Sequence, residues 1–89
     1  MDTSLKNDER RSSILSIIQK IAREILDDPS IVLLDHETVD HVAGWDSIAH
    51  VQIMMEVEDS LGVKFTVQEL SEFADLGELI DTIIERQDG

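Results

Sequence analysis

The chain has 89 residues, of which 20 are Asp or Glu and only 7 are Lys or Arg, so its formal net charge is −13. A field of this sign repels phosphate backbones and anionic bilayers, which argues against nucleic-acid binding and membrane-surface binding. Because the sequence has no cysteine, disulfides, thiolate nucleophiles and zinc–thiolate sites are excluded. From the length of the chain we expect a single domain over residues 1–89, and we expect it to be cytoplasmic.

The negative charge is concentrated in the second part of the sequence. Residues 1–34 hold six acids and five bases, a net charge of −1, whereas residues 35–89 hold fourteen acids and two bases, a net charge of −12. Most acidic segments are simply solvated, but an asymmetry of this size favours a basic partner that docks on the second part.

The first helix is predicted over Ser12–Leu26, where isoleucines recur with the spacing of an amphipathic helix. Asp27-Asp28-Pro29 ends it, because a residue that precedes proline avoids helical dihedral angles. Residues 1–11 lie before this pattern, and we expect them to be flexible or frayed. Residues 27–46 show no periodicity, so they are predicted to form a long loop packed on the core through scattered apolar side chains.

Three further helices follow the loop. Asp46 is a suitable N-cap and Gly62 a suitable C-terminal residue for a helix over Ser47–Leu61. Thr66 begins a capping box that opens a short helix to about Phe73. A last helix starts after Asp75, and its apolar stripe continues to the end of the sequence. The prediction is therefore an all-α, four-helix domain with three long helices and one short helix.

The second helix carries two apolar faces. An ordinary core face consists of Ile53, Met54, Val57 and Leu61, and a separate apolar strip, roughly opposite, consists of Ile48, Val51 and Met55. Glu58 and Asp59 flank this strip. Two alternatives remain at this point: the long loop covers the strip, or the strip is an exposed docking surface with an acidic rim.

Ser47 is the most informative candidate residue. It is predicted to be the first residue of a helix, where its hydroxyl lies beside free backbone N–H groups and the positive end of the helix dipole. This position suits a phosphoester, but serine is common near helix starts, so the residues alone favour an ordinary helix cap. A hydrolase site formed with Asp46 and His50 is rejected, because the glycines of a nucleophile elbow are missing, and we expect His50 at the edge of the core.

Metal chemistry finds no support in the sequence. The acidic loop that begins at Asp35 has Val39 at the fifth position and Asp40 at the sixth, so it lacks the ligand and glycine pattern of a calcium loop. No metal site is therefore predicted.

The run Gly44-Trp45-Asp46-Ser47-Ile48, in an acidic four-helix sequence of this length, resembles the acyl carrier protein family. The resemblance covers residues 14–84, and it includes an Asp-Ser-Ile triplet where that family opens its second helix. It implies that Ser47 carries a covalent 4'-phosphopantetheine, taken from coenzyme A, and that Asp46 is the acid before it. It also implies a carrier of acyl or aminoacyl thioesters, in lipid, fatty acid or secondary-metabolite biosynthesis, that is not itself an enzyme.

The resemblance further implies the partners, which are a phosphopantetheinyl transferase and acyl-loading and acyl-processing enzymes with basic docking patches. Such enzymes would contact a monomeric carrier through Ile48, Val51, Met55, Glu58 and Asp59. Carriers of the main fatty acid pathway often have acids at the positions of Ala49 and Gln52, and Trp45 is more typical of carriers outside it. The alternative function is a noncatalytic acidic helical module that binds a protein partner.

Overall fold

The computed structural model describes residues 3–35, 37–72 and 75–88, which form four helices. These are α1 (Thr3–Ile25), α2 (Ser47–Leu61), α3 (Val67–Glu72) and α4 (Leu76–Asp88). The described residues contain no strand; Thr38 and Asp75 form an isolated antiparallel bridge. None of these four helices is long and apolar enough to cross a membrane. The all-α prediction of three long helices and one short helix is confirmed.

One apolar core joins the three long helices and the loop. The side chains of Ile18, Ile53, Val57, Ile80 and Ile83 are completely buried in it. Burial of one such side chain contributes roughly 1.5–3 kcal/mol, so a handful of these residues accounts for much of the stability of a small domain. The periodic stripes predicted for α1 and α4 lie on the core side, as do Ile53, Met54 and Val57 of α2.

Helix α1 begins at Thr3, so the predicted start near Ser12 is wrong. The apolar pattern does not extend to the first turns of α1. The side chains of Arg10 and Arg11, which precede the predicted start, instead form ion pairs with acids far along the sequence. Whether residues 1–11 are flexible in solution stays a prediction. At the other end, Asp27 adopts a left-handed φ of 52°, and the Asp28 amide donates to the Arg23 carbonyl at 3.0 Å.

Capping residues fix the ends of the shorter elements as predicted. Gly62 ends α2 in the left-handed conformation with φ 67°, which glycine adopts without steric strain. The Thr66 amide donates to Glu69 Oε1 at 2.9 Å and the Glu69 amide donates to Thr66 Oγ1 at 3.1 Å. The bond from the Thr66 amide, with one from Arg86, holds the pKa of the Glu69 carboxyl below its usual value. The predicted end of α3 at Phe73 lies outside the described residues.

The loop between α1 and α2 packs on the helices, as predicted. The Leu33 amide donates to Gln19 Oε1 at 2.8 Å, and Arg23 Nε donates to the Ile31 carbonyl at 2.7 Å, so α1 holds the first part of the loop. The Leu76 amide donates to the Glu37 carbonyl at 2.9 Å, which ties the middle of the loop to the start of α4.

Arg11 joins α1 to both the loop and α4. Its Nε and Nη2 atoms donate to the two carboxylate oxygens of Asp35 at 2.9 Å and 2.8 Å, and Nη1 donates to Asp81. The Arg11 side chain is only 16% exposed. Hydrogen bonding to Asp35 is the largest cause that raises the pKa of Arg11 above its usual value.

We expect Arg11→Met to lower the free energy of unfolding by about 1.5–3 kcal/mol, the usual loss for hydrogen bonds to charged groups. Arg10→Met is the matched control, because Arg10 pairs with Asp88, whose side chain is 64% exposed, and an exposed pair contributes about 0–1 kcal/mol. Urea denaturation of both variants measures the difference. Equal losses would contradict the bridging role of Arg11.

Candidate functional site

Ser47 is exposed at the first position of α2. Asp46 is the N-cap: its backbone is extended, and its Oδ1 accepts the Ala49 amide at 2.8 Å. The Asp46 carbonyl accepts the His50 amide, also at 2.8 Å. Among the residues that the structure describes, the Ser47 and Ile48 amides have no hydrogen-bond acceptor. The exposed hydroxyl therefore stands beside two free N–H groups at the positive end of the helix dipole.

A series of tight turns leads the chain into this position. The Val42 amide donates to the Val39 carbonyl at 3.0 Å, and the Trp45 amide donates to the Val42 carbonyl at 3.1 Å. Val39 is buried, so it anchors the turns on the core. Gly44 follows with φ 87°, in the region where a side chain would strain the backbone.

Trp45 and His50 lie on either side of Ser47 and contact each other. Trp45 Nε1 donates to His50 Nδ1 at 3.1 Å, and His50 Nε2 lies 2.6 Å from the Leu70 carbonyl oxygen. Both side chains are half-buried, so the expectation that His50 lies at the core edge is confirmed. The contact to Leu70 has no signal in the sequence, because His50 and Leu70 are twenty positions apart and on different helices.

The apolar strip on α2 is exposed. Ile48 is 72% exposed, Val51 46% and Met55 56%, whereas Ile53 and Val57 on the core face are completely buried. The alternative in which the long loop covers this strip is therefore wrong. The loop instead packs its own apolar side chains, Ile31, Leu33 and Val39, into the core, so it offers no cover to the far side of α2.

The acids beside the strip differ in their freedom to contact a partner. Asp59 is exposed, whereas Glu58 is half-buried and its Oε2 accepts the Phe65 amide at 2.8 Å. Glu58 therefore holds the chain that leaves α2 and has less freedom than a rim residue. Glu56 was not among the predicted site residues. It is exposed and lines a shallow groove between α1 and α2 together with Glu24 and Met55. The signal that could have predicted it is its position four residues after Gln52, because residues four apart lie on the same side of a helix.

Metal ligands are not grouped in the described part of the chain. Three or more His, Asp or Glu side chains do not converge there in a way that could hold an ion. His41 Nε2 lies 3.3 Å from Glu37 Oε2, which is an isolated pair on the loop.

A family model described as the phosphopantetheine attachment site matches residues 16–83, a segment that includes Ser47 and the whole of α2. The chain belongs to this family. Phosphopantetheine-binding domains carry a covalently attached 4'-phosphopantetheine, are generally noncatalytic, and interact with a phosphopantetheinyl transferase and biosynthetic enzymes. The likeness to acyl carrier proteins is thereby confirmed. No curated protein and no solved structure matched the chain.

The residues at the start of α2 fit the phosphate end of the prosthetic group. An exposed hydroxyl is required for the ester bond, and free helix N-terminal amides are suitable donors to its phosphate oxygens. The Ala49 amide is already bonded to Asp46 Oδ1, so the Ser47 and Ile48 amides are the donors left free by the described chain at this end of α2.

We expect Asp46→Ala to lower the free energy of unfolding by about 0.5–2 kcal/mol, because the carrier then loses the N-cap of α2. Asp46→Asn retains a capping oxygen, so its stability should stay near that of the wild type. Asp40→Ala removes one equally exposed charge from the loop and serves as the control. Thermal and urea denaturation measure all three, and a loss for Asp40→Ala as large as that for Asp46→Ala would assign the effect to charge.

Proposed function

We propose that Ser47 is the residue that carries the 4'-phosphopantetheine. The observation that supports this proposal is the exposed Ser47 hydroxyl at the start of α2, beside two amide N–H groups that donate no hydrogen bond within the described chain. The thiol that ends the prosthetic group would hold acyl or aminoacyl groups as thioesters for enzymes of lipid, fatty acid or secondary-metabolite biosynthesis. The chain itself supplies the hydroxyl, the donors around it and a surface for partner enzymes.

Asp46 supports the attachment as a cap. Its Oδ1 accepts the Ala49 amide, and this bond holds the first turn of α2 in place. We assign Asp46 this structural role, and the proton of the Ser47 hydroxyl is proposed to pass to a base on the transferase. In this proposal the carrier positions the hydroxyl and the transferase supplies the acid–base chemistry.

Partner enzymes are proposed to dock on the strip formed by Ile48, Val51 and Met55. Apolar side chains at the centre and acids at the rim are the usual arrangement of a docking surface, and Asp59 supplies one such acid. We add Glu56 to this rim, and we assign Glu58 mainly to its bond with the Phe65 amide. Helix α2 contains no Lys or Arg, so basic patches on the partner would meet charges of one sign.

The pathway is proposed to lie outside main fatty acid synthesis. Ala49 is 7% exposed and is part of the buried side of α2, and Gln52 is exposed but neutral. At both positions an acid is common in main-pathway carriers. At the exposed Gln52, the neutral side chain offers a partner less charge beside the strip. We therefore expect its partners to depend more on apolar contact with α2.

The second candidate is an acidic interaction module that binds a protein partner without a prosthetic group. The exposed strip and the charge of −13 would serve both functions equally. Modification of Ser47 distinguishes them, because a simple interaction module has no need of that hydroxyl.

We expect the wild type to gain the mass of one phosphopantetheine group after incubation with coenzyme A, Mg²⁺ and a broad-specificity phosphopantetheinyl transferase. Ser47→Ala should gain none, while Ser60→Ala, which changes another exposed serine of α2, should behave as the wild type. Intact-mass spectrometry measures the gain and circular dichroism checks the fold. Modified Ser47→Ala would refute the site, and a folded, unmodified wild type would favour the interaction module.

We expect Met55→Glu to raise the transferase KM about tenfold. We assign Met55 to the minority of interface residues whose loss costs more than about 1 kcal/mol, and 1.4 kcal/mol corresponds to a factor of ten. Val32→Glu adds the same charge on the loop at similar exposure, 63% against 56%, and should leave KM within about twofold. Steady-state kinetics with varied carrier concentration measure both. Equal increases in KM would indicate that added charge, and not the strip, controls docking.

A further inference from the structure

Trp45, His50 and Leu70 form a chain of hydrogen bonds around the attachment residue. The Trp45 ring nitrogen only donates, so His50 Nδ1 must be the acceptor of the 3.1 Å bond. The proton of a neutral imidazole then resides on Nε2, which donates to the Leu70 carbonyl at 2.6 Å. The ring centroids are 6.3 Å apart and the ring planes are tilted by 42°, so the rings meet through their nitrogens and are not stacked.

These hydrogen bonds join residues that lie before and after Ser47 in the sequence. Trp45 is two residues before Ser47 and His50 is three residues after it, so the bond between their side chains spans the whole first turn of α2. Within that span, Asp46 Oδ1 accepts the Ala49 amide. The cap fixes the backbone of the turn, and the Trp45–His50 bond fixes the segment that enters it.

The third member anchors the turn to α3. Leu70 lies in the last four residues of α3 (Val67–Glu72), where carbonyl oxygens have no donor within the helix. His50 supplies that donor from α2. A six-residue helix is not stable alone. This bond joins α3 directly to the Ser47 turn, beside the packing of Leu70 on the core and the ion pair of Glu69 with Arg86.

We propose that Trp45 and His50 are positioning residues for the modification of Ser47. The proposal rests on the proposed function, in which Ser47 Oγ attacks the pantetheine-bearing phosphorus of coenzyme A. A bond forms from Oγ to phosphorus, the bond from that phosphorus to the oxygen of adenosine 3',5'-bisphosphate breaks, and the hydroxyl proton passes to a base of the transferase. No group is oxidised or reduced.

Such an attack depends on alignment of the hydroxyl with the bond that breaks. A misplacement of about 1 Å can cost about a hundredfold in rate. Ser47 is exposed, so packing does not orient it, and its orientation depends on the turn that Trp45 and His50 brace. Their loss should therefore lower kcat, whereas loss of the docking strip should raise KM.

The test separates the two bonds of His50. Trp45→Phe removes the indole N–H and keeps an aromatic ring. His50→Asn places an amide oxygen near the position of Nδ1 and so can still accept the indole N–H, whereas His50→Gln places an amide nitrogen near that of Nε2 and can still donate to Leu70. Transferase kinetics are measured for each variant and for Trp45→Phe/His50→Gln, at a temperature where circular dichroism shows every variant folded.

We expect Trp45→Phe and His50→Gln each to lower kcat about tenfold with KM unchanged, and the double variant to be no slower than either, because all three lack the same bond. His50→Asn should recover most of kcat. Trp45 is the only tryptophan and the sequence has no tyrosine, so the fluorescence of His50→Gln should shift while that of His50→Asn stays near the wild type.

Unchanged kcat in every folded variant, or additive losses in the double variant, would overturn the positioning role. A fall in melting temperature with wild-type kinetics would also overturn it and leave a purely structural bond. Failure of the proposed function is distinguishable, because the wild type would then remain unmodified or Ser47→Ala would become modified.

Discussion

Burial of one face of α2 in the common core constrains the geometry of the whole site. Ile53, Met54 and Val57 are completely buried, and their spacing fixes the rotation of α2 about its own axis. Since side chains lie about 100° apart along a helix, that rotation also determines which residues point outward. Ile48, Val51 and Met55 are exposed for this reason. Ser47 is exposed at the N-terminal end of α2. The exposure of the apolar strip and of the Ser47 hydroxyl thus follows from the packing of the opposite face.

Charge is distributed so that the described arginines stabilise the fold and leave α2 acidic. Arg10 and Arg11 contact acids of the loop and of α4, Arg86 contacts Glu69, and Arg23 donates to a loop carbonyl. None of these cations lies on α2, so its acids are not neutralised by the helix itself. The charged side chains of α2 are therefore all acidic, and the two exposed ones, Glu56 and Asp59, face solvent with no cation on the same helix.

Local signals predicted the part of the fold that local chemistry controls. Helix α2 begins at Ser47 and ends at Leu61, as Asp46 and Gly62 indicated, because a cap and a left-handed glycine act within one turn of the helix. The first helix was less predictable. Its start at Thr3 lies outside the apolar pattern, and the ion pair between Arg10 and Asp88 joins residues 78 positions apart. Periodicity contains no information about such a contact.

The sequence by itself determined the helical class, the ends of α2, the likeness to carrier proteins and the candidate attachment residue. These depend on periodicity, capping and a short motif, each of which acts over a few neighbouring residues. Only the tertiary structure decided that the strip on α2 is uncovered, that Glu58 bonds to the Phe65 amide, and that His50 links Trp45 to Leu70. Those outcomes depend on where separate elements meet, because a side chain is satisfied or exposed according to its neighbours in space.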